Sequence, residues 1–190
     1  MSATPWLRVA VVLALLDPIV ALDVQLRDYV QARRTPVFDE VMQAATDLGR
    51  RDIVAMVLLG IAVFSGPAGP ATARCALAAL VGSNLVVEGL KRAVGRVRPD
   101  GDPKRSNSSF PSGHAASAVA AAVVMSRRWS GGTWLFVLGA VVVSWSRIYL
   151  NRHFLSDVLA SVVIGVGFGL LALRWTDPRA VKQGAPPAPS

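Results

Sequence analysis

Long apolar runs separated by short polar turns constrain the fold of this 190-residue chain more than any other feature. Hydrophobic residues make up 53% of the sequence and charged residues only 17%, whereas a soluble domain carries about 25% charged residues. A helix needs about 20 apolar residues to cross a bilayer, with about 17 as the practical minimum. The period-two alternation of a membrane β-barrel is absent from the sequence. The runs therefore predict an all-α, polytopic membrane helix bundle.

Six segments are predicted to span the membrane. The first, residues 6–22, is interrupted by Asp17 and Pro18. A signal peptide is the competing interpretation of this segment, but the interruption and the lack of a small-x-small cleavage pattern disfavour it. The mixed charged and apolar stretch 23–51 is predicted to form one or two short helices at the membrane surface. The other predicted spans are residues 53–64, 71–94, 112–125, 133–149 and 155–175.

Residues 1–176 are predicted to form a single membrane domain. The tail, residues 177–190, contains four prolines and little that could pack, and we expect it to be disordered. Cys75 is the only cysteine, so no intrachain disulfide can form. Because Cys75 lies in an apolar run, it is interpreted as a small buried residue.

The formal net charge is +8, which would suit nucleic acid, an anionic membrane surface or an anionic substrate. The basic residues stand at the ends of apolar runs, and no nucleic-acid-binding motif accompanies them. Nucleic acid is therefore not a predicted partner, and flanking of membrane helices accounts for much of the charge. Three clusters of ionisable residues at span ends are of more interest, because charges near a membrane core tend to mark function.

The first cluster contains Lys91 and Arg98, which are seven residues apart and could share one helix face. Pro99 disfavours helix at Arg98, so Arg98 is expected just past the helix end. A lysine and a forked guanidinium at a helix end suit a tetrahedral oxyanion such as phosphate. A positive cap on the helix is the alternative interpretation.

The second cluster is Pro111-Ser112-Gly113-His114, at the start of a predicted span. Backbone N–H groups at a helix start form an anion site, and the Ser112 hydroxyl can add a donor. His114 would then lie beside the anion, able to donate or accept a proton. A capping turn with an incidental histidine explains this cluster equally well.

The third cluster contains Arg147, His153 and Asp157. His153 and Asp157 are four residues apart, so on a helix they would touch. A carboxylate on one ring nitrogen fixes the tautomer and leaves the lone pair of the other nitrogen free, which makes the histidine a credible nucleophile. The alternative is a purely structural pair. Counting spans brings all three clusters to the same side of the membrane.

The motifs Lys91-x6-Arg98-Pro99, Pro111-Ser112-Gly113-His114 and Ser146-Arg147-x5-His153-x3-Asp157 together resemble the signature of the type 2 phosphatidic acid phosphatase superfamily. Every specified position is present, in order, between residues 91 and 157. The resemblance implies that His153 attacks phosphorus and forms a phosphohistidine, which Asp157 orients and stabilises. It implies that His114 protonates the leaving oxygen and then helps to activate water. The implied ligands of the non-bridging oxygens are Lys91, Arg98, Ser112, Gly113 and Arg147.

The resemblance implies an integral membrane phosphatase of a lipid phosphate or diphosphate, such as undecaprenyl diphosphate, phosphatidylglycerol phosphate or phosphatidic acid. A vanadate-dependent haloperoxidase shares the signature, but those enzymes resemble longer soluble proteins. A non-enzymatic transporter or scaffold is the third hypothesis, and the full histidine-arginine-aspartate set argues against it. No metal or other cofactor is predicted, since no carboxylate cluster frames either histidine and no nucleotide-binding glycine loop is present. The predicted partners are the bilayer and the lipid phosphate, and the sequence leaves the oligomeric state open.

The membrane orientation follows less directly from the sequence. A raw count of lysine and arginine on six spans puts the predicted site in the cytoplasm. The count reverses weakly once the expected phosphate ligands and the mixed segment 27–51 are left out. The family resemblance favours the outer face, so we expect an extracytoplasmic site in a bacterial inner membrane.

Overall fold

The computed structural model describes residues 5–101 and 108–176, with side chains from residue 17 onwards except those of residues 51 and 55. This part of the chain is helical and contains no β-strand, which confirms the predicted all-α class. Short 3-10 turns at Gly66–Ala68 and Ser130–Gly132 precede two of the helices. The α-helices, in chain order, are α1 (Pro5–Gln31), α2 (Pro36–Asp47), α3 (Arg51–Phe64), α4 (Gly69–Val94), α5 (Gly113–Arg128), α6 (Thr133–Tyr149) and α7 (Leu155–Thr176).

Three described segments are long and apolar enough to cross a membrane: Gly66–Val94, Ser130–Tyr149 and Leu155–Thr176. They contain α4, α6 and α7 and correspond to three of the predicted spans. The predicted spans 53–64 and 112–125 form α3 and α5, which have 14 and 16 residues. Both are shorter than the practical minimum of about 17 residues. The membrane bundle is therefore confirmed, whereas the count of six spans stays a prediction.

The first helix is longer than predicted. It does not end near residue 22 but continues to Gln31, for a total length of 27 residues, with Pro18 inside it. The mixed stretch 23–51 therefore contributes one separate surface helix, α2, and the last two turns of α1. Asp23 therefore lies inside this helix and not after it, and its carboxylate is buried and paired far along the chain. A sequence pattern cannot reveal such a distant partner.

The short helix α2 has an exposed face and a buried face, and its location at the membrane surface stays a prediction. Thr35 caps its N-terminus by accepting a hydrogen bond from the backbone N–H of Phe38, and Pro36 occupies the first turn. Phe38 and Val41 are exposed, while Ala45 and Thr46 are buried. The buried face packs on α6, which brings the end of α2 close to the C-terminus of α6.

Helix α5 lies at the centre of the bundle, packed on α4, α6 and α7. Its alanines at 115, 116 and 120 have no exposed surface. A Cβ at Gly165 would lie 2.7 Å from the Ala116 carbonyl oxygen, and one at Gly169 would lie 2.7 Å from the Val123 Cβ. Glycine at these two positions therefore allows α7 to pack closely on α5. At Gly167 an added Cβ would meet open space.

Candidate active site

One end of the bundle contains a cavity of about 310 Å³. It lies where the C-termini of α4 and α6, the N-terminus of α5 and the α2–α3 turn meet. Six predicted site residues line it: Lys91, Arg98, Gly113, His114, Arg147 and His153. The other lining residues are Gly49, Arg50, Asp52 and Ser117. The prediction that the three sequence clusters come together is therefore confirmed, and Ser112 and Asp157 lie behind the cavity wall.

Lys91 and Arg98 reach the cavity in different ways. Lys91 lies in the last turn of α4, and the helix stops because Gly95 adopts a left-handed conformation (φ 62°). The Gly95 N–H donates to the Lys91 carbonyl at 3.0 Å. Arg98 follows outside the helix, as predicted from Pro99. The two side chains thus line one cavity, but the expectation of a shared helix face is wrong because α4 has already ended.

Ser112 is the N-cap of α5. Its hydroxyl accepts from the Ala115 N–H at 3.5 Å, and its own N–H donates to the Ser161 hydroxyl at 2.8 Å. The residue is completely buried. These two hydrogen bonds fix the start of α5 at the cavity, and with it Gly113 and His114. The role of Ser112 as a phosphate ligand stays a prediction.

Gly49, which sequence reasoning missed, lies directly against His114. A Cβ at Gly49 would be 2.8 Å from Val143 Cγ1 and 3.2 Å from His114 Cδ2. Any side chain at this position would push into the histidine ring or into α6. The glycine in the turn after α2 was the available signal, but a turn glycine alone does not reveal what it packs against.

Arg147 is buried in α6 and is held by α2. Its Nη1 group donates to the Thr46 hydroxyl at 2.6 Å. Its Nε group is buried and has no hydrogen-bond partner among the described residues. A buried donor without a partner is costly. An anion in the cavity is the group that would satisfy it. Thr46 was not predicted, because it belongs to the stretch interpreted only as a surface helix.

His153 lies in the link between α6 and α7 and is 3% exposed. Its Nδ1 is 2.6 Å from the carbonyl oxygen of Ser109. A carbonyl can only accept, so Nδ1 carries the proton and Nε2 keeps its lone pair for the cavity. Burial lowers the pKa of His153 to about 4, and the nearby Asp157 carboxylate opposes this shift only in part. The ring is therefore neutral at pH 7.

Asp157 lies next to His153, as predicted, but it does not make the predicted hydrogen bond to the ring. The closest approach, between His153 Nδ1 and Asp157 Oδ2, is 3.8 Å, too long for a hydrogen bond. The prediction assumed that both residues lie on one helix, but α7 begins only at Leu155. Asp157 instead accepts from the Phe154 N–H at 2.8 Å and from the Ser109 hydroxyl. It also accepts from Arg96 Nη1 at 2.6 Å. Asp157 therefore acts on His153 through its nearby charge and by holding Ser109.

Within the described ranges, no three histidine, cysteine, aspartate or glutamate side chains are grouped so that they could hold a metal ion. The cavity offers mainly cationic and N–H donor groups. Such groups bind an oxyanion, and the neutral His153 ring presents a lone pair to whatever they hold.

Comparison with known proteins identifies what this chain is similar to. Residues 72–180 match the model of the PAP2 superfamily. The chain is 40% identical over 91 residues to the lipid A 1-phosphatase of Porphyromonas gingivalis, an alignment that covers 46% of this chain and 20% of the relative. It is 33% identical over 75 residues to the undecaprenyl-diphosphatase BcrC of Bacillus subtilis, covering 40% and 39%. The chain thus matches less than half the length of these curated relatives.

Two solved structures share the fold. Aquifex aeolicus LpxE superposes with a TM-score of 0.71 at 23% identity, covering 80% of this chain and 94% of that one. The PAP2-type phosphatidylglycerolphosphate phosphatase of Bacillus subtilis gives a TM-score of 0.73 at 24% identity, covering 92% and 94%. At this level of identity the likeness concerns the fold.

Proposed function

The chain belongs to the PAP2 superfamily, and from this premise we propose that it is an integral membrane phosphatase that releases phosphate from a lipid phosphate or diphosphate. The observation that carries the proposal is the cavity itself. Lys91, Arg98 and Arg147 surround it, and His114 and His153 both face it. Three cations complement the charge of a phosphate ester, and two histidines supply a nucleophile and an acid.

The first chemical step uses the Nε2 lone pair of His153. Nε2 attacks phosphorus while the bond from phosphorus to the lipid oxygen breaks. His114 gives its proton to that oxygen, so the lipid alcohol leaves neutral and the phosphoryl group stays on His153. Lys91, Arg98 and Arg147 hold the non-bridging oxygens, together with Gly113 and Ser112 at the start of α5.

The second step returns the protein to its starting state. Water attacks the phosphorus of the phosphohistidine, and the neutral His114 takes one of its protons. The phosphorus–nitrogen bond breaks, inorganic phosphate is released, and His153 recovers its lone pair. Nδ1 keeps its proton throughout, because the Ser109 carbonyl can only accept. For a diphosphate the leaving group is the lipid monophosphate, and the proton goes to its oxygen.

An apolar groove supports a lipid as the substrate. The groove, of about 350 Å³, lies along α3 and α4 and includes Leu58, Leu77 and Leu85. Ser117 lines both the groove and the cavity, so the two adjoin. An amphiphile could lie with its phosphate among the cations and its tail in the groove. Undecaprenyl diphosphate, phosphatidylglycerol phosphate, phosphatidic acid and a prenyl-linked sugar phosphate all have this form.

We also propose that the site faces the outside of a bacterial inner membrane. The proposal rests on the family resemblance and on the lysine and arginine count, which weakly favours the outer face once the expected phosphate ligands and the mixed segment 27–51 are left out. A membrane-impermeant thiol reagent tests it, applied to intact cells that carry a cysteine at exposed Arg50 beside the cavity in a Cys75→Ala background. Labelling is expected from outside, and labelling only after lysis would reverse the orientation.

The decisive experiment compares the purified wild type with His153→Ala on a panel of lipid phosphates and diphosphates. We expect phosphate release to fall by about 10³-fold or more, because the nucleophile is lost. Rapid quenching with labelled substrate should trap a phosphoprotein in the wild type and none in the variant. Exposed Arg174→Met, on α7, is the matched control and should behave as wild type. Near wild-type turnover of His153→Ala would end the proposal.

A further inference from the structure

Three charged side chains are gathered behind His153, away from the cavity. Asp23 on α1 is 2% exposed, and Asp157 on α7 is completely buried. Arg96, from the link after α4, lies between them. Its Nη2 donates to Asp23 Oδ2 at 2.8 Å, and its Nη1 donates to Asp157 Oδ1 at 2.6 Å. We call these three residues the carboxylate cluster. Asp23 and Arg96 lie outside the three motifs, and the two-step chemistry above uses neither.

The cluster joins three separate parts of the chain. Asp23 accepts from the backbone N–H of Ser156 at 2.9 Å and from its hydroxyl. The same hydroxyl accepts from Arg96 Nη1 at 2.8 Å. The guanidinium of Arg96 also lies 4.2 Å from the centre of the Phe154 ring. These contacts fix the first turn of α7 and the residues that follow His153. Apolar packing would fix them at a lower desolvation cost than these charged side chains do.

Arg96 holds Ser109 in place through its backbone and through its side chain. Its backbone carbonyl accepts from the Ser109 N–H at 2.7 Å. Its side chain holds Asp157, which accepts from the Ser109 hydroxyl. Ser109 in turn supplies the carbonyl that accepts from His153 Nδ1 at 2.6 Å. The group that sets the tautomer of His153 is therefore itself positioned by Arg96.

The cluster also has an excess of negative charge. Two carboxylates face one guanidinium, so one negative charge is left on the Nδ1 side of His153. Lys91, Arg98 and Arg147 lie on the cavity side. When Nε2 bonds to phosphorus, the ring gains positive charge, and the buried negative charge behind it favours that state.

We propose that Asp23 and Arg96 are positioning residues, which hold Ser109 and Asp157 so that His153 presents its Nε2 lone pair and tolerates the positive charge of its phosphorylated form. The inference rests on the proposed function. Neither residue lines the cavity. Substituting them should therefore slow chemistry while leaving the binding of phosphate intact.

The test uses Arg96→Met, Arg96→Lys and Asp23→Asn, with exposed Asp28→Asn on α1 as the matched control. Turnover on a lipid phosphate gives kcat and KM. Inorganic phosphate probes the cation pocket. Orthovanadate, which can bond to Nε2 in a transition-state-like geometry, probes the positioned histidine. Isothermal titration measures the binding of both anions to each variant, so that part of the test does not depend on turnover.

We expect Arg96→Met to lower kcat about 100-fold and Asp23→Asn about tenfold, within the range seen when supporting residues of a site are removed. Orthovanadate affinity should fall in parallel, while phosphate affinity changes less than about twofold, and Arg96→Lys should recover part of the loss. If Arg96→Met does not fold, Arg96→Lys and Asp23→Asn still give the ratio of vanadate to phosphate affinity.

Two results would overturn the positioning role: unchanged orthovanadate affinity, or phosphate and orthovanadate affinities that fall together, as general damage would cause. Absence of phosphate release from the wild type would instead count against the proposed function. In that case the ratio of the two anion affinities still decides the positioning role.

Discussion

The two sides of the His153 ring differ in their charge and in whether their polar groups are already paired. On the cavity side, Lys91, Arg98 and Arg147 surround a space that an anion can enter. On the other side, the buried Asp23 and Asp157 share Arg96, whose side chain is 25% exposed. The cavity side is accessible to a ligand. Its Arg147 Nε has no hydrogen-bond partner among the described residues. The acceptors and donors on the far side are paired with one another, so that side serves to orient the ring.

This difference separates binding from orientation, and substitutions on the two sides should change different measured quantities. Losses on the cavity side should weaken the binding of phosphate itself. Losses on the carboxylate side should slow the attack by His153 with little change in phosphate affinity. Substitutions on each side test that separation, and the largest effect is expected at Arg147.

On the cavity side, Arg147→Met should lower kcat/KM about 100-fold. Arg147 is expected to make two charge-assisted hydrogen bonds to the phosphate, each worth about 1.5 kcal/mol or more, and 1.4 kcal/mol corresponds to a factor of ten. Phosphate and orthovanadate affinities should fall together, in contrast to the pattern expected for Arg96. Steady-state kinetics and anion titration measure both.

Thr46→Val is the milder companion of Arg147→Met, since it removes only the hydroxyl that accepts from Arg147 at 2.6 Å. It should cost about tenfold in kcat/KM, and Thr46→Ser should restore most of it. If Thr46→Val left phosphate affinity unchanged, Arg147 would not depend on α2 for its position.

The acid limb of the pH profile tests the environment of the ring. The proposed attack needs neutral His153, whose pKa burial lowers to about 4. The neutral form therefore persists as pH falls and is lost only near pH 4. At pH 5 about 90% of the ring stays neutral, whereas an exposed histidine with a pKa near 6.5 would be about 3% neutral, a difference of about 30-fold.

The measurement is kcat/KM in detergent between pH 4 and pH 8, with unfolding monitored at each pH. An acid limb centred near pH 6.5, separate from the titration of the substrate phosphate, would show that water reaches the ring and that the buried arrangement is wrong. Asp157→Asn sharpens the test. The Asp157 carboxylate raises the pKa of His153, so its loss should move the acid limb further down in pH.

The cavity side could be predicted from the sequence, and the carboxylate side could not. Lys91, Arg98, His114 and Arg147 stand in short motifs at the ends of helices whose apolar runs are visible in the sequence. Once those helices are predicted, counting spans brings their ends to one side of the membrane. Local patterns were sufficient there because each residue's position follows from the helix next to it.

Asp23 and Ser109 show why the rest was missed. Asp23 bonds to Ser156, 133 residues away, and the periodicity of a single helix cannot indicate such a partner. Asp23 directly follows the predicted span 6–22, so the prediction places the end of the first helix too early in the chain. Ser109 acts through its backbone carbonyl, which every residue has. The prediction of a direct hydrogen bond between His153 and Asp157 was wrong for a related reason, since it depended on where α7 begins.

The smallest effect is expected from the ion pair nearest to His153 in sequence. Arg152 Nη1 donates to Asp100 Oδ2 at 2.9 Å, and the Arg152 side chain is 50% exposed. Exposed pairs contribute about 0–1 kcal/mol, because water screens them and two long side chains must be ordered. Arg152→Met should therefore change kcat/KM less than about twofold and shift the free energy of unfolding by at most about 1 kcal/mol. Thermal unfolding in detergent and steady-state kinetics measure these changes. A loss of kcat/KM as large as that of Arg96→Met would mean that any charge in this link, and not the carboxylate cluster in particular, sets the position of His153.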